Sequence, residues 1–141
     1  METSEVRRRV QETIERAKRG AAERRIRSDE AAREYAAFLD DIAVPLFRQL
    51  AGALKASGYP FNVFTPGGSV RLMSERSAED FIELSLDTAG DEPMVISHAH
   101  RARGRRVVES ERPVAQGPVR NLTEDHLLNF MSKELEPFLE K

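Results

Sequence analysis

Two histidines, His98 and His100, are the residues of this chain whose type and spacing come closest to site chemistry. On an extended strand, residues two apart project from one face roughly 7 Å from each other, so both imidazoles could reach one metal ion. Two ligands do not complete a site. The third imidazole, His126, would have to arrive from a distant segment, the chain has no cysteine, and no carboxylate stands at ligand spacing. The expectation is therefore half-exposed strand residues, with no bound metal and no cofactor.

A second cluster is basic. Arg101, Arg103, Arg105 and Arg106 crowd one turn, with Arg112 nearby, and such groups meet phosphates or acidic protein surfaces. Glu109 and Glu111 lie close enough in sequence to pair with them across a hairpin, which would leave a solvated, self-compensated surface. The acid pairs Asp40-Asp41, Glu79-Asp80 and Asp91-Glu92 are chain neighbours that point to different faces, so none reads as an acid–base pair. Pro66-Gly67-Gly68 lacks the lysine and following helix of a phosphate loop. No catalytic residue is expected, and the chain is read as non-enzymatic.

Charge is unevenly spread. Of 141 residues with a net charge of −2, residues 6–27 hold nine basic groups against three acids, whereas from Thr123 onward five acids face two lysines. The basic segment carries a thin apolar seam, Val6, Val10, Ile14, Ala17 and Ala21, stepping by three and four as on one side of a helix. Val6, Val10 and Ile14, with Arg7 and Arg16, are the candidate contacts for a protein partner or a second copy of the chain. Arg24, Arg25, Arg101, Arg103, Arg105 and Arg106 are the candidate contacts for nucleic acid or an acidic partner.

The elements that must position these residues are legible as patterns. Tyr35, Phe38, Leu39, Ile42, Leu46, Leu50 and Leu54 make a wide apolar stripe over residues 28–58. Ser28 before Asp29 and Glu30 predicts a fresh helix start after a weak point at Gly20, Pro45 predicts a kink, and Gly58 with Pro60 predicts the stop. Period-two alternation follows. Residues 61–65 and 69–74 flank Pro66-Gly67-Gly68 as a hairpin, with Pro66 expected at the first central turn position and Gly67 at the second. Residues 80–88 put Ile82, Leu84 and Leu86 on one face, and residues 94–102 and 105–112 follow after turns at 89–93 and 103–104. Thr123 caps a last helix whose apolar face is Leu127, Leu128, Met131, Leu135, Phe138 and Leu139, with Pro137 bending its end.

These readings predict an α+β fold: long N-terminal helices, an antiparallel meander of four to five strands, and a C-terminal helix on the same sheet face. Residues 1–27 form a basic helical arm and residues 28–141 one domain. No segment is apolar enough for a membrane span, the start of the chain has no secretory apolar core, and the absence of cysteine fits a reducing compartment, so no membrane partner and a cytoplasmic location are expected. The function expected is a protein-binding module, whether adaptor, chaperone-like protein or regulatory subunit. The first alternative is a nucleic-acid-binding protein using the arm and the Arg101–Arg106 turn. The second is a small-molecule-binding domain or enzyme with a pocket between sheet and helix.

Overall fold

The chain opens with a single long helix because nothing in its first 38 residues is worse for helix than one glycine. A computed structural model describes residues 1–140. In it α1 runs unbroken over Thr3–Phe38, 36 residues or about 54 Å. The start expected at Ser28 is therefore corrected. Gly20 costs about 1 kcal/mol against alanine, but the Ala, Glu and Arg around it are strong helix formers, and a new cap would sacrifice the bonds running through residues 24–32.

At Pro45 the helix changes its hydrogen-bond pattern without a break in helical structure. Leu39–Ala43 forms a π turn, in which the Val44 amide reaches back five residues to the Leu39 carbonyl, and Pro45 then falls in the first turn of α2, Val44–Ala56. A missing N–H is tolerated there. α2 stops at Gly58, whose φ of 90° suits glycine, with the Tyr59 amide donating to Leu54 O and the Gly58 amide to Lys55 O.

Five strands follow: β1 Phe61–Phe64, β2 Val70–Ser74, β3 Phe81–Asp87, β4 Met94–Arg103 and β5 Arg106–Pro113. They pair in chain order as an antiparallel meander. The first hairpin turn sits one residue later than expected. Its closing bond is from the Ser69 amide to the Pro66 carbonyl, and the positive φ falls on Gly68, so Pro66 precedes the two central residues.

Alternation along these strands sorts the sheet into two faces. Val70, Leu72, Ile82, Leu84, Val95 and Ser97 are all buried on one of them. On that face α2 lies against β1 and β2. The C-terminal helix α3, Glu124–Leu139, adds Leu127, Met131 and Leu135 to the same apolar cluster. Leu128, expected on the apolar face of α3, is instead 38% exposed, because it lies a quarter-turn past Leu127 on a helix whose buried strip is Leu127, Met131 and Leu135. Thr123 caps α3 as expected, through a capping box: its hydroxyl accepts from the His126 amide while His126 Nδ1 accepts from the Thr123 amide, both at 3.2 Å.

The body end of α1 is anchored by Ala31, Tyr35 and Phe38. The Tyr35 hydroxyl donates to the Leu84 carbonyl at 3.2 Å, and burial, followed by the nearby Glu83 charge, raises its pKa above the ordinary phenol value. Glu34 accepts from the Arg120 guanidinium at 3.1 Å and from the Arg120 amide, tying α1 to the short 3-10 turn Val119–Asn121.

Candidate functional site

The helical repeat that buries Ala31, Tyr35 and Phe38 does not end where the body ends. Counting back from Phe38 in steps of three and four gives Tyr35, Ala31, Ser28, Arg24, Ala21, Ala17, Ile14 and Val10, so the seam of the arm is the same face of the same helix. N-terminal to Ala31, Ser28 is half-buried and no residue of that face is buried. Val6, Val10 and Ile14 are 44%, 52% and 40% exposed.

The charges around that seam are sorted. Glu5, Glu12, Glu15 and Glu23 fall on the side of α1 opposite it, where Glu5 accepts from Arg9 at 2.8 Å. Arg7, Lys18, Arg24 and Arg25 lie within about 90° of the seam and Arg27 at about 100°, whereas Glu5, Glu12, Glu15 and Glu23 lie about 140° or more from it. The flanks of the seam are therefore basic. Arg16, a candidate contact by sequence, points away from the seam and donates to the Thr13 hydroxyl at 3.1 Å.

At the root of the arm, α1 and two loops enclose a cleft of about 310 Å³, lined by Arg27, Glu30, Ala31, Glu34, Glu92 and Arg120 among others. No sequence pattern marks it. Its walls come from three segments that only the fold brings together.

The hairpin arginines occupy another place. Gly104, with φ of 62°, makes the β4–β5 turn, and Arg103 pairs with Arg106 across it. Arg103, Arg105 and Arg106 are exposed, Arg101 is half-buried, and among the described residues none of the four forms an ion pair. Their expected pairing with Glu109 and Glu111 is corrected. Strand register puts those two acids on the open face of the sheet, while Arg101 and Arg106 face the helix side. Arg112, on the helix side too, bonds Glu134 at 3.4 Å instead.

This basic turn and the arm do not merge. α1 leaves the body past the β3–β4 loop, next to Glu92 and Pro93, whereas the arginine turn lies at the other end of β4, a strand of 10 residues or about 33 Å.

The open face of the sheet carries the histidines. His98 and His100 do share one side, and the Nε2 atoms of both face Glu109 Oε1, at 3.8 and 3.3 Å, while His100 Nδ1 meets the Glu79 carbonyl. Phe81 is filled on both faces. Arg71 sits 4.1 Å over the ring from the β2 side and His100 stacks at 5.0 Å from the β4 side, with planes 5° apart. Arg71 also donates to Glu83 at 3.0 Å. His126 stays away, its Nδ1 committed to the cap of α3. The described residues contain no group of three or more His, Cys, Asp or Glu arranged to hold a metal ion, and no helix long and apolar enough to cross a membrane.

Comparison of the sequence with known protein families and with curated proteins, and of the structure with solved structures, returns no match.

Proposed function

We propose that this chain is a non-enzymatic protein-binding module, an adaptor, chaperone-like protein or regulatory subunit, that holds out residues 3–27 as a helical docking strip from an α+β body. The carrying observation is the continuity of α1. One helix face anchors itself through Ala31, Tyr35 and Phe38 and then continues for about seven turns with Val6, Val10 and Ile14 exposed. Such a strip, too narrow for a core of its own and regular at helical spacing, suits a second helix laid along it. The body then serves as the mount.

Nucleic-acid binding is the second reading, favoured by the arginines at the β4–β5 turn, which form no ion pair among the described residues. Against it, the two basic segments lie at opposite ends of β4, and both faces of Phe81, the aromatic nearest the middle of the open sheet, are occupied, so no central ring is offered to a stacked base. A pocket between sheet and helices has less support still. That interface is filled by Phe47, Leu72, Ile82, Leu84, Leu127 and Met131, each fully buried.

A photo-crosslinking residue placed at position 14 of the full chain, in cells that make it, tests the reading. A protein adduct is expected, lost when Val10 and Ala17 are both changed to Asp. An adduct to nucleic acid, or none, refutes the proposal. Deleting residues 1–27 should meanwhile leave thermal unfolding cooperative, since Ser28, Asp29 and Glu30 can cap the shortened helix.

A further inference from the structure

From the distribution of charge around the seam, we infer that the arm's occupant is an amphipathic helix of a different chain with acidic flanks, and not a second copy of this one. The inference rests on the docking-strip reading and specifies its partner. Two copies laid seam to seam, in either direction, would bring Arg7, Lys18, Arg24, Arg25 and Arg27 of one against the same set of the other, with none of Glu5, Glu12, Glu15 and Glu23 between them. The acids that could have compensated are on the far side of the helix, where Glu5 already pairs with Arg9. Like charges along a helix pair set partner choice by repulsion, and opposite charges by attraction.

An anionic partner is thus required, and the seam decides which kind. Val10, Ile14, Ala17 and Ala21 make an apolar strip between the basic flanks, which a phosphate backbone cannot cover but the apolar face of a helix can. Ala17 and Ala21 are small, so a partner helix can approach closely over the middle of the arm. Glutamates on both edges of that helix would meet the arm's flanks while its Leu or Ile residues cover the seam.

The test uses the full chain and two synthetic helical peptides with one leucine and isoleucine seam, flanked in one by glutamate and in the other by lysine. By fluorescence anisotropy at low salt, the glutamate peptide should bind about tenfold or more tighter than the lysine peptide, with the ratio shrinking as salt rises. Reversing the flank with Lys18→Glu, Arg25→Glu and Arg27→Glu, all exposed positions, should invert the preference, with helix content checked by circular dichroism. Sedimentation should show the unliganded chain as a monomer. An arm-dependent dimer without preference for the glutamate peptide would overturn this inference while leaving the docking strip standing. Binding of neither peptide by a monomeric chain would overturn both. A flank reversal without effect, or a short DNA or RNA that binds as tightly as the glutamate peptide and competes with it, would also overturn the inference.

Discussion

Leu84→Ala is the substitution that most directly tests whether the helices are mounted on the sheet as described. Leu84 lies mid-strand in β3 with no exposed surface, shares the helix-side face with Val70 and Ser97 across the ladder, and its carbonyl receives the Tyr35 hydroxyl. Truncation removes three carbons, worth about 2.4 kcal/mol at roughly 0.8 kcal/mol per buried methylene. The pleated backbone on either side cannot collapse into the space, so a cavity term adds to this, and the total should be about 3–4 kcal/mol, inside the roughly 2–5 kcal/mol seen for such changes. Against a stability on the order of 5–15 kcal/mol, the loss is large, and the thermal midpoint should fall by about 10 °C. The assay is urea unfolding followed by circular dichroism, with a lower midpoint and an unchanged slope expected. Leu128→Ala supplies the control, the same change at a 38% exposed position of α3, and should cost less than about 1 kcal/mol. Equal costs at the two positions would refute the assignment of the buried face.

Two further outcomes follow from polar groups in the core. Ser97 is fully buried and its Oγ has no hydrogen-bond partner among the described residues, so Ser97→Ala should be neutral or stabilising by up to about 1.5 kcal/mol; a loss above about 1 kcal/mol in the same unfolding assay would mean the hydroxyl is satisfied. Glu134 is buried, and desolvation raises its pKa more than the Arg112 guanidinium lowers it. The folded protein therefore holds this proton to higher pH than the unfolded chain does. Its contribution is fully present below the unfolded pKa and is lost as pH rises through the folded one. Glu134→Gln should accordingly be more stable than the parent at neutral pH, with the difference shrinking as pH falls into the carboxylate range. A difference that does not change with pH would refute the assignment.

The sequence alone determined the elements wherever a side-chain period was long and clean. The stripe through Tyr35, Phe38, Leu46 and Leu54, the alternation of Ile82 and Leu84, and the Thr123 cap each state a local geometry that burial then uses, although around the π turn Ala43 and Phe47 are fully buried while Leu39, Ile42 and Leu50 are only partly so. The seam of the arm was legible for the same reason. Boundaries were less so, because they depend on competition between neighbouring segments. Ser28 has the chemistry of a cap, but good helix formers on its N-terminal side carry α1 through it, and a π turn relieves the demand that Pro45 makes.

What touches what was decided only by tertiary structure. Glu109 is three residues from both Arg106 and Arg112 in sequence, yet register across the ladder, which chain order does not reveal, hands it to His98 and His100. The cleft at the root of α1 joins residues some 60 to 90 positions apart, so no local pattern could announce it. The two basic segments look alike in composition, yet the length of β4 holds them apart. That separation weighs against one continuous nucleic-acid surface: charge is written in the sequence, but the distance between charges is set by the fold.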